Sequence, residues 1–568
     1  MDKKTLPLVI VLILLIVFFN QILGFLGLVP PPAEQPAQTA DTTSEVVQYQ
    51  EPAAPVGEQA VEQATIADDT SLAETVALTA PDTVVVITEK YRVIMSTHGG
   101  GPLSMILNEY THRDGTPVEM LAEAEAATPD ARFAGHSFAS SSLGYECNLR
   151  SGEYSVNRDP LEVVYTSTAA HGGSIVKRYI FYPDSYHYDL VLTVNGNQHY
   201  GFERKYSLVW NTSLTPTEPQ LQADYEAMQA VAMTVSDSRE SLDDFNDGVL
   251  NQTLDGDTRW AGVREKYFAA MIIPRTKIAS AVFANGVEDN QITADGTVQR
   301  RRVTFGLVIP LASEATVSDS FTVFVGPLDY TLLSEYQIGL EDMLDIGTTP
   351  FIGWLIKPFA LGIIWLLPRM YDVIPNYGLV IILFALLVKV VTLPLSLKSF
   401  KSMQAMRDLG PQLEVLKQKH KKDPQALNRE TMKMYKKAGV NPMSGCLPIL
   451  PQMPLFFALF SVFKSTILLR DAPFVWFITD LSRGASGFMD PYIILVVIMI
   501  GAQFLSQKIT MPSTGQNKAL GYMMPLFMGF IFYKFASGLV LYWICFSLFS
   551  LLDYIVFRKG KNAEVKSA

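Results

Sequence analysis

The chain has 568 residues, 49% of them hydrophobic, which predicts more than one domain and is a high apolar fraction for a purely soluble protein. Its formal net charge of −11 is unevenly divided, because residues 31–350 contain 45 acidic and 19 basic residues, a net charge of −26, which leaves +15 for the rest. The acidic part argues against DNA or RNA as its partner, since phosphate contacts need lysine and arginine.

Residues 1–28 begin with Lys3 and Lys4, and about 20 apolar residues follow. This apolar core is longer than that of a cleavable signal peptide, and no small-residue cleavage site follows it directly. We therefore predict a retained signal-anchor helix with its N-terminus in the cytoplasm. Residues 29–81 are rich in Pro, Ala, Glu, Gln and Thr and have few large apolar side chains, so they predict a disordered linker.

Residues 82–327 consist of short runs that alternate apolar and polar residues, with turn pairs such as Asn195-Gly196 and Asn285-Gly286 between them. This pattern predicts an all-β sandwich domain. The seven histidines show no metal-ligand spacing, so we expect neither a metal nor a cofactor. Cys147, Cys446 and Cys545 lie far apart in the sequence, and we expect no disulfide framework.

Residues 328–376 lead from the β domain back to the membrane. The stretch 330–344 predicts one helix. The stretch 351–375 is apolar but interrupted by charged residues and prolines, and Trp354 and Trp365 favour an amphipathic helix in the outer membrane interface. A further transmembrane span is the alternative, and it would invert the orientation of every later segment.

Residues 377–557 predict five transmembrane helices, so that the signal-anchor makes a sixth. The first begins at residue 377, and the others span about 447–469, 491–507, 519–535 and 539–557. The loop 397–445 carries 11 basic and 4 acidic residues. Its stretches 403–422 and 428–439 show helical spacing and are separated by Asp423-Pro424, which predicts a cytoplasmic helical hairpin. The tail 558–568 is short and basic, which also places the C-terminus in the cytoplasm.

Polar residues fall in the cytoplasmic halves of these predicted spans. Lys389, Thr392 and Ser396 share one helical face, and a lysine near the centre of a span costs roughly 2.5–3.5 kcal/mol on insertion scales. Gln452, Gln503 and Gln507 lie at a similar depth on other spans. Because hydrocarbon cannot solvate such groups, they predict a wet cavity open to the cytoplasm and closed outward. The alternatives are a structural pair between Lys389 and Asp553, and hydrogen bonds between helices for the glutamines and serines.

The membrane half contains several short motifs in a fixed order. They are Asn441-Pro442, Gly445-Cys446, Gln452-Met453-Pro454, Leu469-Arg470, Ala472-Pro473-Phe474, Asp490-Pro491-Tyr492, Met524-Pro525 and Ser537-Gly538-Leu539-Val540-Leu541-Tyr542. With these motifs the chain resembles the YidC/Oxa/Alb family of membrane protein insertases, in the Gram-negative form with a large periplasmic domain. The resemblance implies a five-helix core around a hydrophilic groove that is sealed toward the periplasm. It also implies a periplasmic β-supersandwich and a mobile cytoplasmic hairpin.

The resemblance also implies which residues line the groove. The family usually has an arginine where this chain has Lys389, which keeps the charge but loses the bidentate fork. It has a threonine at the position of Ala385 and a tyrosine at the position of Trp543. The predicted groove and substrate-contact residues are Lys389, Thr392, Ser396, Gln452, Gln503, Gln507, Tyr542 and Trp543.

The function that the resemblance implies is that of a membrane protein insertase and chaperone in the inner membrane, not an enzyme, acting alone or with the Sec translocon. Expected partners are nascent membrane-protein segments, membrane lipids, and the ribosome or the signal recognition particle receptor at the basic hairpin, but not DNA. The alternative is a secondary transporter or channel with a periplasmic sensor domain, although we find no repeated halves. A third hypothesis, a carbohydrate-active β domain, lacks a convincing pair of carboxylates in the sequence.

Overall fold

The computed structural model describes residues 82–567 apart from short gaps, all within one compact unit, Thr70–Ala568. The gaps are 134–137, 170–172, 197–203, 294–295, 313, 348–351, 422, 440–448, 488 and 511–516. The predicted signal-anchor 1–28 and linker 29–81 lie outside the described residues, as do the motifs around Asn441 and Cys446.

Residues from Thr83 to Pro327 form two β-sheets. The smaller sheet has five strands in the order β4-β3-β2-β1-β8. Its strands are β1 Thr83–Ile87, β2 Tyr91–Ser96, β3 Gly101–Thr111, β4 Pro117–Glu119 and β8 Gly152–Ser155. Neighbours pair antiparallel except for β1 and β8, which are parallel.

The larger sheet has 14 strands. They are β5 Asp130–Phe133, β6 Phe138–Ala139, β7 Glu146–Cys147, β9 Leu161–Thr168, β10 Ser174–Phe181, β11 His187–Asn195, β12 Lys205–Trp210, β13 Gln229–Thr234, β14 Arg239–Leu242, β15 Val249–Arg264, β16 Phe268–Pro274, β17 Ala279–Thr293, β18 Gly296–Pro310 and β19 Thr316–Pro327. The main order is β6-β5-β12-β18-β17-β15-β16-β19-β11-β10-β9-β7, with β13 and β14 attached to β15. A short helix, α1 (Leu221–Ala227), precedes β13.

The core of this domain is aromatic. Trp210, Trp260 and Tyr179 are among its largest fully buried side chains. Alternate residues along β10 and β11 point inward, as their burial patterns show, so the period-2 pattern of the sequence fills the space between the layers. The predicted β-sandwich is therefore present, although β15, β17 and β18 are much longer than the short strands that we expected, at 15 or 16 residues each.

The two predicted turn pairs have different outcomes. Asn195 ends β11 and Gly196 follows with φ of 71°, so this pair lies at a strand end, as the sequence predicts. The prediction for Asn285-Gly286 was wrong, because both residues lie inside β17 and pair with β15 and β18. A Cβ on Gly286 would lie 2.6 Å from the carbonyl oxygen of Arg302. The glycine therefore permits close strand packing rather than a turn.

The single helix predicted over 330–344 was also wrong. The structure has a short helix, α2 (Tyr330–Ser334), and then a 3-10 helix, Leu340–Leu344, separated by Gln337 and Gly339 with positive φ angles. The segment keeps short turns of its own, and side chains of the β domain bind carbonyl groups between and within them. The indole of Trp260 donates to the carbonyl of Ile338 at 3.0 Å, and Arg264 donates to that of Met343 at 2.6 Å.

The C-terminal part is helical. Its helices are α3 Gly353–Val373, α4 Tyr377–Asp408, α5 Gly410–Lys419, α6 Pro424–Lys437, α7 Ile449–Ser465, α8 Ile493–Thr510, α9 Asn517–Phe532 and α10 Ser537–Ser567. α10 packs against α4, α7 and α8, while α3 packs against α4 and α7, and α9 against α8. The described helices overlap each of the five spans that the sequence predicts.

Large apolar side chains are exposed around this bundle. They include Leu386, Leu387, Val390, Val391, Val497, Ile498, Met523, Leu526, Leu548, Leu552 and Val556. A soluble protein rarely exposes so continuous an apolar surface. Of the described helices, α4 and the Ser537–Val556 part of α10 are long and apolar enough to cross a membrane, with mean hydropathy of 2.6 and 2.0. Shorter apolar stretches are Ile493–Lys508 and Met523–Phe532.

The basic loop begins differently from our expectation. We predicted one helix over 403–422, but α4 continues from the apolar span to Asp408 and the chain bends at Leu409. Pro411 lies in the first turn of α5, where its missing N–H is tolerated but could not continue the helix before it. The predicted break at Asp423-Pro424 is present, and the Asp423 carboxylate accepts from the N–H groups of Gln425 and Ala426.

We predict that Gly286→Ala destabilises the β domain by about 1–3 kcal/mol, because the new methyl group meets the backbone of β18 and cannot be relieved by a side-chain rotation. The measurement is the thermal unfolding of the full-length protein in detergent. Asn285→Ala is the matched control, since that side chain is exposed on the same strand and its loss should change stability by less than about 0.5 kcal/mol. Equal effects of the two substitutions would contradict the packing role.

Candidate functional site

Lys389 is buried between α4 and α10. Its ammonium donates to the hydroxyl of Ser550 at 3.0 Å and lies 3.1 Å from a carboxylate oxygen of Asp553. It also lies 5.1 Å from the centre of the Phe546 ring. The lysine side chain is 5% exposed and the aspartate side chain 22% exposed. The structure thus contains the Lys389–Asp553 pair that was the alternative to an unpaired charge in the groove.

Thr392 and Ser396 share the helical face of Lys389, but their hydroxyls bond within α4. Thr392 donates to the carbonyls of Val388 and Lys389 at 2.9 and 3.2 Å, and Ser396 donates to that of Thr392 at 3.1 Å. These bonds leave the hydroxyl oxygens able to accept from a further donor. Both residues therefore add polarity to the surface beside Lys389 without tying α4 to another helix.

Two glutamines of α8 and two aromatic residues of α10 carry buried polar atoms. The amide oxygens of Gln503 and Gln507, the hydroxyl of Tyr542 and the indole N–H of Trp543 have no hydrogen-bond partner among the described residues. Gln452 on α7 is half-buried. Buried polar atoms normally bond to protein or to ordered water. The glutamine oxygens thus lack the helix-to-helix bonds of the alternative hypothesis within the described part of the chain.

Tyr542 and Trp543 of α10 contact different helices of the bundle. Tyr542 packs on Phe384 of α4, with ring centres 6.1 Å apart, while Trp543 lies 5.4 Å from Phe456 of α7 and from Phe532 of α9. The residues predicted for the groove are thus distributed over α4, α7, α8 and α10. The structure joins Lys389 to α10, and it records no direct contact between Lys389 and the glutamines.

The sequence reasoning missed a second contact between α4 and α10. The guanidinium of Arg407 donates to the hydroxyl of Tyr554 at 2.6 Å, and the Phe400 ring lies 5.4 Å from the Tyr554 ring. Lys389, Ser396, Phe400 and Arg407 are spaced by 7, 4 and 7 residues, which places them on one helical face. That continuous face was a signal in the sequence, but the loop boundary assumed at residue 397 concealed it.

Residues 470–492, which we call the end cap, cover the opposite end of the bundle. Phe474 packs against the first turn of α4, where a Cβ on Gly378 would lie 2.0 Å from the ring. The cap carbonyls of Arg483 and Leu481 accept from the N–H groups of Ser537 and Gly538, at 2.7 and 2.9 Å. Both N–H groups lie at the start of α10, where the helix itself provides no acceptor for them. The cap therefore closes the end at which α4, α8 and α10 begin.

The β domain contains a separate cleft of 690 Å³, whose lining includes Glu123, Glu125 and Asp130. Asp130 is bound by Arg132 at 3.0 Å and by the hydroxyl of Ser140, and Glu123 is bound by Arg300 at 2.6 Å. A glycoside hydrolase needs one carboxylate free to donate a proton and another to act as nucleophile or base. Arginines thus engage Glu123 and Asp130, and the exposed Glu125 has no second free carboxylate beside it among the described lining residues, so the cleft does not favour the carbohydrate-active hypothesis.

Comparison with known proteins gives matches over both halves of the chain. A family model described as 60Kd inner membrane protein matches residues 369–564, and one described as YidC periplasmic domain matches residues 83–361. "Membrane protein insertase YidC" of Chlorobium luteolum (strain DSM 273 / BCRC 81028 / 2530) is 33% identical over 506 residues, which cover 84% of this chain and 83% of the relative. The chain belongs to the YidC family.

Other relatives extend over almost the whole chain. "Membrane protein insertase YidC" of Syntrophus aciditrophicus (strain SB) is 29% identical over 568 residues, covering 97% of this chain and 98% of the relative. A solved structure, "Active YidC insertase crystal structure with the first transmembrane domain resolved", has 21% identity, covers 85% of this chain and 95% of that chain, and gives a TM-score of 0.36. The protein is thus an inner-membrane protein whose β-sandwich matches the YidC periplasmic domain.

Several of the motifs that carry the family resemblance lie in or beside the end cap. The motifs with Arg470, Phe474 and Asp490 lie within it, and the motif that begins with Ser537 and Gly538 provides the N–H groups that it binds. The sequence showed these motifs only as signs of resemblance. The structure places them together at one end of the helices, away from the Lys389–Asp553 pair.

We predict that Asp553→Ala destabilises the protein by about 1–3 kcal/mol, because it leaves the buried Lys389 ammonium without its carboxylate. The partial exposure of Asp553 keeps this value below that of a fully buried pair. Thermal unfolding in lipid nanodiscs is the measurement.

The control for this prediction is Glu430→Ala, which breaks the exposed Lys433–Glu430 pair on α6 and should leave the unfolding temperature nearly unchanged. The double variant Lys389→Met with Asp553→Leu should recover most of the lost stability, because two apolar side chains of similar length replace the ion pair. Failure of the double variant to recover would mean that Asp553 stabilises α10 independently of Lys389.

Proposed function

We propose that the protein is a membrane protein insertase that assists the folding and assembly of integral membrane proteins. Its polar layer, which comprises Lys389, Thr392, Ser396, Gln452, Gln503, Gln507, Tyr542 and Trp543, is the site that receives the client. The observation that carries the proposal is that the Lys389–Asp553 pair and the unbonded oxygens of Gln503 and Gln507 lie inside an apolar helix bundle, several turns from the helix ends that the end cap contacts. Membership in the YidC family supports the same function.

The proposed topology has six transmembrane helices and both termini in the cytoplasm. The β domain and the end cap face the periplasm, and the basic hairpin and tail face the cytoplasm. The charge of the loop 397–445, with 11 basic and 4 acidic residues, supports this orientation. Trp354 and Trp365 are exposed on α3, which supports an interfacial position for that helix on the periplasmic side.

The mechanism follows from the cost of moving polar chain through hydrocarbon. Water that bonds the free glutamine oxygens shortens the apolar path that a hydrophilic client tail must cross. Lys389 attracts an acidic tail, which competes with Asp553 for the ammonium. The client's hydrophobic segment then leaves between the helices and is buried in lipid, which makes insertion favourable without a nucleotide.

The basic hairpin provides the surface for cytoplasmic partners. Its helices α5 and α6 are mostly exposed and end in lysines. Such a surface suits the ribosome, whose RNA is negatively charged, or the signal recognition particle receptor. Clients arrive either from the Sec translocon or directly. A transporter or channel would need a polar route through both halves of the bundle, and the end cap offers no support for one.

We predict that a nascent membrane protein contacts the polar layer during insertion. A photo-crosslinking amino acid at position 503 or 507 should give a crosslink to a stalled nascent chain. Val391 on α4 is the control position, because its side chain is 70% exposed on the bundle surface that faces lipid. Crosslinks from position 391 but none from 503 or 507 would show that the client enters elsewhere.

We also predict that the positive charge of Lys389 promotes the insertion of acidic clients. This role is separate from its part in holding α4 to α10. Lys389→Met with Asp553→Leu should keep the bundle folded but lower the insertion of a client with an acidic tail several-fold. Lys389→Arg should insert it nearly as well as the natural protein, since it keeps the charge. The readout is client insertion in cells depleted of their own insertase.

The comparison needs a client whose translocated tail is neutral, because loss of a positive charge should affect it much less. Lys389→Glu alone is less informative, since it places a second carboxylate opposite Asp553 and damages the bundle. If both clients insert equally well with the double apolar variant, Lys389 has a structural role alone.

A further inference from the structure

Arg470 is the first residue of the end cap, and it is bound by the β domain. Its Nε donates to a carboxylate oxygen of Glu218 at 2.7 Å, and a terminal nitrogen donates to the carbonyl of Thr111 at 2.8 Å. The guanidinium also lies 5.7 Å from the centre of the Phe268 ring. The side chains of Arg470 and Glu218 are 5% and 9% exposed. Three separate parts of the β domain thus hold one side chain of the cap.

The carboxylate of Glu218 is itself fixed in place. The Asp224 carboxylate accepts from the N–H groups of Thr217 and Glu218, both at 2.8 Å. Glu265 accepts from the hydroxyl of Thr217 at 3.2 Å and from the N–H groups of residues 267 and 268. The segment that carries Glu218 therefore cannot follow Arg470 if the cap moves, unless several buried bonds break.

Two carboxylates contact Arg470, and one of them is buried. Burial raises the pKa values of Asp224 and of Glu265; the Glu218 carboxylate raises that of Asp224 further, and Asp224 raises that of Glu265 further. Burial lowers the pKa of Arg470, but the Glu218 and Asp471 carboxylates outweigh this effect and raise it. Asp471 lies 3.1 Å from the guanidinium but its side chain is 53% exposed, so Glu218 is the buried carboxylate that binds Arg470 from the β domain.

The cap transmits this attachment to the helices. The carbonyl of Gly484 accepts from the amide of Gln220 in the β domain at 3.3 Å. The neighbouring Ala485 N–H donates to the carbonyl of Tyr533 at 2.8 Å, and the carbonyl of Asp480 accepts from the hydroxyl of Ser537 at 3.0 Å. A continuous series of bonds therefore runs from the β domain through the cap to the turn between α9 and α10.

We infer that Arg470 is a positioning residue that keeps the periplasmic end of the insertase closed, by fixing the end cap between the β domain and the first turn of α10. This inference rests on the proposed function for its meaning, because an insertase must admit a client from the cytoplasm without opening a route to the periplasm. The β domain then has a mechanical role through Glu218 and Thr111, which needs no ligand of its own.

The test measures how accessible the closed end is, in the full-length protein in liposomes. The three natural cysteines are replaced by serine and Val540→Cys is added, because Val540 is 2% exposed in the first turn of α10. A membrane-impermeant maleimide applied from the side of the β domain should label this cysteine slowly. Arg470→Glu should raise the labelling rate by about tenfold, since like charges then face each other across the buried contact.

Charge exchange gives the decisive comparison. Arg470→Glu with Glu218→Arg should return the labelling rate to within about twofold of the starting value. Arg301→Glu is the matched control, because it breaks an Arg–Glu pair at 2.6 Å within the β domain, between β17 and β18. It should leave labelling unchanged, and Trp476→Cys, which is 91% exposed, should label rapidly in every variant.

Two results would overturn the inference. One is an unchanged labelling rate with Arg470→Glu, and the other is an equal rise with Arg301→Glu, which would indicate general loosening of the domain. Labelling needs no client, so its outcome is independent of whether the protein inserts one. If client insertion is absent while labelling follows Arg470 as expected, the proposed function fails and the role of Arg470 in closure stands.

Discussion

A charged group inside an apolar bundle must be paired or hydrated, and this constraint determines how α4 and α10 pack. Lys389 meets Asp553 and Ser550 of α10, and further along the same face Arg407 meets Tyr554. Two polar contacts thus fix two long apolar helices that would otherwise associate through dispersion contacts alone. Their apolar surfaces remain free to face lipid, as the exposed Val390 and Leu552 illustrate.

The two ends of the bundle satisfy their polar groups in opposite ways. At the end cap, the N–H groups of Ser537 and Gly538 are bonded to the cap, and Arg470 has a carboxylate and a carbonyl. Toward the other end, the oxygens of Gln503 and Gln507 lack partners among the described residues. A saturated end resists water, whereas an unsaturated one attracts it. The unbonded glutamine oxygens therefore support the proposed hydration on the side away from the cap.

The sequence predicted most of the architecture because local patterns carried it. Apolar length identified the helices of the bundle, and the period-2 alternation identified the β-sandwich. Predictions failed where distant contacts overrode a local pattern. Asn285-Gly286 reads as a turn, yet β15 and β18 on either side hold it in a strand. The stretch 330–344 has helical spacing, yet Trp260 and Arg264 bind its carbonyls and divide it.

The candidate site shows the same limit. Depth along the spans grouped Lys389 with the glutamines, which stays a prediction, and it named Asp553 as the alternative partner that the structure contains. Depth could not tell whether the charge was paired, since that depends on how α4 and α10 rotate against each other. Arg470 and Glu218 lie 252 residues apart, and no spacing rule connects them. Their contact forms only when the whole β domain is folded and packed against the helices. The Leu469-Arg470 motif, which the sequence showed only as a sign of resemblance, therefore connects the β domain to the helical part of the protein.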